Sequence, residues 1–355
     1  YNMGNTTKTM KLLLENWRKF LNEGGNVFVG QTASIPKEFI EPTLEKYRKE
    51  LNRLFPLKKE VFSSFRPVGS VGKKPTSGDI DLAGDATSFF PTGEVTPEEL
   101  KSWNINPTAW KDTFSKFKTR ARSRTDAELG WRAFLTELAK YINENSELII
   151  TDPKKVGPGI MFSLFPQFSD ENKQQDIGVQ IDWMVGRADW LEFAYYSDPP
   201  SKKDSYLKGL HRTQLMLAMF SVKNVSYHHS SGLKDRGTKK FITNSPKEVL
   251  KMLGSLYNGK INRSTTNNFH SLYGWLKENS TPEEYQKVIS TYLKILDSTK
   301  SVKMRDQLTG EEVQCGYVPK ELEDFWIQNQ QELNLKGKYI CRDINEKIWN
   351  HIQGR

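Results

Sequence analysis

Cysteine is nearly absent from this 355-residue chain: only Cys315 and Cys341 occur, far apart and without C-x-x-C spacing. That excludes a disulfide framework and a structural zinc site, and it fits a reducing compartment. No run of eighteen apolar residues occurs, so no helical membrane span and no membrane partner are expected. The N-terminus lacks the charged-then-apolar order of a secretory leader, and a cytoplasmic location is the expectation. Met3-Gly4-Asn5 begins like a myristoylation signal, but Lys8 stands where Ser or Thr is required. The first nine residues read as a lead ahead of Met10. Internal repeats and low-complexity tracts are also missing. Histidine is scarce, and the adjacent pair His228-His229 has no third ligand at metal-binding spacing.

What is present is a folded composition. Hydrophobic residues make up 36%, with nine Trp, nineteen Phe and thirteen Tyr, enough for two or three packed units with real cores. The 52 Lys and Arg exceed the 43 Asp and Glu, giving a formal charge of +9. Such a balance favours an anionic partner such as nucleic acid, and is also common among soluble enzymes.

Apolar spacing places a helix over 10–22, carried by Leu13, Trp17, Phe20 and Leu21. A second helix is expected to start at Pro42, with Leu44, Tyr47, Leu51 and Leu54 on one face. Thr96-Pro97, Ser245-Pro246 and Thr281-Pro282, each followed by Glu three residues after the cap, announce three helix starts. A further helix is predicted over 126–143. Residues 76–84 read as a strand, and 148–151, 160–165 and 177–185 as consecutive antiparallel strands. A short hairpin is expected over 302–317 around Thr309-Gly310.

The densest chemical signal is Gly69-Ser70-Val71-Gly72-Lys73-Lys74-Pro75-Thr76-Ser77-Gly78-Asp79-Ile80-Asp81. A small turn with free amides can hold a polyphosphate. Carboxylates at period two on a strand point the same way and can share a metal ion. Gly69 allows close backbone approach, Ser70 offers an amide and a hydroxyl, and Lys73 and Lys74 add positive charge. A later strand, Val179-Gln180-Ile181-Asp182-Trp183-Met184, projects a third carboxylate opposite Ile181 and Trp183. Two metals clamped by three carboxylates suit phosphoryl or nucleotidyl transfer, which needs positioning and charge neutralisation above all.

Taken together these residues resemble the DNA polymerase β-like nucleotidyltransferase superfamily, and most closely the family-X polymerases. Ser77-Gly78-Asp79-Ile80-Asp81 resembles their Ser-Gly-Asp-x-Asp, Asp182 the third aspartate, and Tyr195-Tyr196-Ser197 the aromatic pair that meets the nucleotide sugar. The segment from His211 to Tyr227 is similar to the start of a thumb subdomain. The opening Met10-Lys11-Leu12-Leu13-Leu14 resembles phage-encoded proteins.

The resemblance implies an α/β (α+β) fold: a small mixed sheet of the nucleotidyltransferase palm with flanking helices, plus a mostly helical C-terminal part. It implies Asp79, Asp81 and Asp182 as catalytic metal ligands, with Gly69, Ser70, Lys73, Lys74, Ser77, Tyr196, Lys208 and Arg212 at the nucleotide. Two Mg²⁺ ions, replaceable by Mn²⁺, would serve transfer of a nucleoside monophosphate from an NTP or dNTP to a nucleic-acid 3'-hydroxyl. Other acceptors stay open: a second nucleotide, as in oligoadenylate or cyclic-dinucleotide synthases, or a protein or small molecule. A non-enzymatic scaffold on the same fold is the further alternative. Expected domains are N-terminal helices (1–60), the catalytic domain (61–230, with an insertion at 85–150) and a thumb-like helical part (231–355).

Two basic stretches accompany the site. Lys116, Lys118, Arg120, Arg122 and Arg124 alternate along one segment, and Lys234, Arg236, Lys239 and Lys240 form a loop with aromatic residues nearby. The first is read as a phosphate grip or as a solvated helix face, and the second as a basic loop whose nearby aromatic residues could stack on bases.

Overall fold

The computed structural model describes Val27, Phe28 and residues 30–73, 75–120, 124–196, 209–298, 303–305 and 312–314, with Leu322 and Phe325. The helix expected over 10–22, both cysteines, Lys74, Arg122, Lys208 and Thr309-Gly310 lie outside them. The chain forms two units, Tyr1–Tyr196 and Ser197–Arg355.

The first unit begins with β1 (Ile35–Pro36), which pairs with β3 (Thr76–Ser77) and runs straight into α1 (Lys37–Leu54). Lys37 N–H donates to the Pro75 carbonyl at 2.9 Å, so this bridge sets the helix start. Pro42 therefore sits inside α1 rather than at its first position. Its missing N–H faces the carbonyl of exposed Glu38, where water can replace the lost bond. The stripe Leu44, Tyr47, Leu51 and Leu54 is buried as its spacing predicts.

After α2 (Lys59–Ser63), a five-stranded mixed sheet has the order β2-β4-β7-β6-β5. Its members are β2 (Arg66–Pro67), β4 (Ile80–Asp85), β5 (Ile150–Thr151), β6 (Ile160–Phe168) and β7 (Gln174–Gly186). The last three form the expected antiparallel series. Strands β4 and β7 are parallel, and parallel neighbours require a crossover.

That crossover contains the 85–150 insertion, folded as α3 (Ala86–Phe89), α4 (Pro97–Ser102), α5 (Pro107–Arg120) and α6 (Asp126–Asn145). Thr96 caps α4 by accepting from Glu99 N–H, and Thr125 with Glu128 forms a full capping box on α6. The insertion supplies much of the core. Phe89 stacks on Trp103 at 5.2 Å, Phe134 packs edge-on against Phe90, and Trp183 of β7 meets Phe65 edge-on at 4.9 Å. Such aromatic pairs add to a large buried apolar area. A last helix, α7 (Ala188–Ala194), closes the unit.

The second unit contains α8 (Gly209–Val222), a three-stranded antiparallel sheet ordered β10-β9-β8, and helices α9 (Pro246–Leu256), α10 (Phe269–Asn279) and α11 (Pro282–Ser298). Its sheet strands are β8 (Val225–His228), β9 (Gly232–Asp235) and β10 (Phe241–Thr243). The division expected at 230/231 falls in the turn between β8 and β9. The reason is packing: α8 lies against α10, α11 and β8, so residues 211–227 belong to the C-terminal unit. Thr281 and Glu284 complete a capping box on α11, whereas Ser245 makes no side-chain cap. β11 (Lys303–Arg305) and β12 (Glu312–Gln314) pair antiparallel, as the predicted hairpin requires. Among the described residues no helix is long and apolar enough to cross a membrane.

Candidate active site

Alternation along β4 buries Ile80 and Leu82 completely and turns Asp81 to the other face. On β7 the same rule buries Ile181 and Trp183 in the aromatic core. Asp81 and Asp182 occupy one register position on the two parallel strands, so their carboxylates emerge side by side. Asp182 is buried at 6% exposure, while Asp81 is half-buried.

Three interactions fix β7 at this point. The Trp183 indole N–H donates to the Tyr47 hydroxyl at 2.8 Å, and that hydroxyl also shares a 2.8 Å bond with Ser163. Ser163 in turn donates to the Ile181 carbonyl. On the opposite face, the Gln180 amide donates to Asp182 Oδ1 at 2.8 Å, while its oxygen accepts from Val27 N–H. Gln180 was not singled out in the sequence, although its place two residues before Asp182 on a strand puts it on the same face.

The turn from Gly69 approaches the carboxylates from β2. Gly69 has φ +68° and a Cβ there would stand 2.9 Å from Asp81 Oδ2, so only glycine lets the backbone pass so close. Val68 N–H donates to the Asp81 carbonyl at 2.9 Å, and Gly69 forms a parallel bridge with Tyr196. Lys73 N–H donates to the Ser70 carbonyl, and its ammonium lies 5.0 Å from the centre of the Tyr196 ring. Gly69, Ser70, Lys73 and Tyr196 are thus gathered beside Asp81.

Ser77 has a different place from the one expected. It is buried, and its hydroxyl accepts from Gly72 N–H at 3.3 Å, so it braces the turn from beneath. Arg212 belongs to the second unit, where it is 1% exposed and its Nε–H donates to the Thr266 carbonyl. It is a core side chain of that unit. Lys74 and Lys208 lie outside the described residues.

Asp79 precedes β4 by one residue, in a bend rather than on the paired strand. Its charge reaches both partners. Burial first, then Asp79, pushes the Asp81 carboxyl up to about 7. Burial, then Asp81 and Asp79, raises Asp182 well above the ordinary carboxylate range, partly offset by the Gln180 hydrogen bond. Clustered carboxylates that resist ionisation are a common signature of a functional site. Asp85 shares the face of Asp81 but caps α3, its Oδ1 accepting from Thr87 N–H at 2.9 Å.

Among the described residues no group of three or more His, Cys, Asp or Glu side chains is arranged to hold a metal ion. Of the three expected ligands, Asp81 and Asp182 are the adjacent pair, with Asp79 a neighbouring charge. The pair suits Mg²⁺, which takes one or two carboxylates and completes its octahedron with water and substrate phosphates. A divalent cation would also offset the burial and the mutual repulsion that raise both carboxyls.

No protein-family model and no curated protein matches this chain. Among solved structures it is similar to the Leishmania infantum polymerase beta in a ternary P/T complex, with 14% identity, 70% of this chain and 80% of that chain covered, and a TM-score of 0.35. It is also similar to the same polymerase in a ternary gap complex, with 15% identity, 66% and 71% coverage, and a TM-score of 0.31. At these scores the functional reading rests on the residues of the site itself.

Proposed function

We propose that the chain is a metal-dependent nucleotidyltransferase that moves a nucleoside monophosphate from an NTP or dNTP to a nucleic-acid 3'-hydroxyl, releasing pyrophosphate. The observation that carries this reading is the register match of Asp81 and Asp182, with the Gly69 turn against Asp81.

Asp81 and Asp182, joined by Asp79, would hold Mg²⁺. The ion supplies neutralisation of the triphosphate and of the charge that develops in transfer. The chain's own residues do the rest. Gly69 keeps the turn free of a side chain so that phosphate oxygens can approach its amides. Ser70 adds a hydroxyl, and Lys73 a charge held over Tyr196. The Tyr196 ring offers an apolar face to a sugar. Asp182, with its raised proton affinity and its orientation fixed by Gln180, is placed to take the proton of an attacking hydroxyl.

The test is incorporation of labelled nucleotide into an oligonucleotide primer with Mg²⁺. Asp81→Asn and Asp182→Asn should each lower turnover by about a hundredfold or more. Incorporation at the normal rate by either variant would overturn the assignment. Products formed from nucleotides alone, with no primer extension, would move the acceptor to a second nucleotide.

A further inference from the structure

The antiparallel sheet of the second unit has two unlike faces. Val225, Tyr227 and Leu233 turn inward and are buried. Ser226, Lys234 and Phe241 are cross-strand partners at one level, so their side chains share the opposite face. Phe241 is 57% exposed there, on the edge strand β10, with Ile242 beside it at 39%. The ring of Phe241 is thus open to a stacking partner beside the Lys234 side chain.

A groove of about 440 Å³ runs along the other edge strand, β8, where it meets α8 and α11, lined by Ser221, Ser226, Tyr227, His228, Arg236 and Lys294 among others, with no carboxylate in its lining. Arg236 leaves the turn between β9 and β10 and donates to the Ser221 hydroxyl. That turn is pre-formed. Asp235 Oδ1 accepts from both the N–H and the hydroxyl of Thr238, and Arg236 N–H donates to the Asn224 carbonyl at 3.0 Å. The hydrogen bonds from Thr238 lower the Asp235 carboxyl below its ordinary range. The turn's acidic group is thus engaged by its own backbone, while Arg236, Lys239 and Lys240 are exposed.

We propose that this sheet binds single-stranded nucleic acid, with a base stacked on Phe241, one phosphate taken by Lys234 on the same face, and others by Arg236 and Lys294 at the β8 groove. The chemistry favours this occupant: an exposed ring supplies a sequence-tolerant stacking surface, and a row of cations tracks a backbone. Ordered hydrogen bonds keep Arg236 in place, which limits the entropy lost on binding. The proposal deepens the nucleic-acid reading of the chain, yet it involves none of the residues of the carboxylate site.

The experiment is a titration of a fluorescently labelled single-stranded oligonucleotide with the full chain, by anisotropy, without nucleotide or metal. Phe241→Ser should weaken binding by about tenfold, and Phe241→Tyr should bind like the wild type because it keeps the ring. Replacing Lys234, Arg236 and Lys294 together by Gln should flatten the plot of log affinity against log salt by about two. Thermal unfolding of each variant guards against misfolding, and Phe241, being exposed, should tolerate Ser. Unchanged affinity and salt slope would overturn the proposal and leave the face to a protein partner. Because the assay needs no turnover, loss of incorporation in Asp182→Asn with intact binding separates this proposal from the one about the active site.

Discussion

A side chain on Gly69 would meet Asp81: the Cβ position lies 2.9 Å from Asp81 Oδ2. Gly69→Ala should therefore lower stability by about 1–2 kcal/mol from the left-handed backbone alone, and should impair turnover by displacing the carboxylate. Gly274, inside α10, has open space around it. Gly274→Ala should stabilise by about 0.5–1 kcal/mol with turnover kept. Urea denaturation and primer extension on both variants check the pair.

Asp81 and Asp182 both hold protons more tightly in the folded chain than in the unfolded one. The Asp81 contribution to stability is thus fully present below the ordinary carboxylate pKa of about 4 and is lost as pH rises through about 7, and that of Asp182 is lost in the same direction. In metal-free buffer the melting temperature should fall from pH 5 to pH 8. Asp81→Asn should flatten this dependence and raise the melting temperature at pH 8, read by differential scanning fluorimetry.

Adding Mg²⁺ at pH 8 should restore the lost stability, since an ion that binds only the folded chain stabilises it by mass action. The melting temperature should climb with the logarithm of Mg²⁺ concentration, and chelation should reverse the gain. Asp182→Asn should abolish the response. An identical climb in that variant would place the ion elsewhere.

Tyr47 supports the site from behind, accepting from Trp183 and sharing a hydrogen bond with Ser163. Tyr47→Phe leaves a buried indole N–H without its acceptor and should cost about 1–3 kcal/mol in urea denaturation. Turnover should survive at permissive temperature, because Trp183 and Asp182 point to opposite faces of β7.

Period-two alternation made Asp81 and Asp182 legible, since their apolar neighbours declare which face is core. It could not reveal that the strands are neighbours, because alternation specifies a face and never a partner. Ser77 was misplaced for a related reason: a hydroxyl in a loop looks alike whether it faces a ligand or a turn amide. Arg212 was expected at the nucleotide, yet its guanidinium finds a backbone carbonyl inside the second unit. Residues 85–150 bore no catalytic motif, and Phe89, Trp103 and Phe134, which fill the core there, carry no chemical signature beyond size. The start of α1 was masked by Pro42, a strong local signal overridden by the β1–β3 bridge.

The parallel pairing of β4 with β7 has a temporal side. During synthesis Asp81 emerges long before Asp182, and every crossover helix leaves the ribosome between them. Long-range strand pairing forms late because its loop must be closed first. A nascent or truncated chain ending before β7 would carry the Gly69 turn and Asp81 without their partner strand, so the carboxylate pair is born only with the completed sheet.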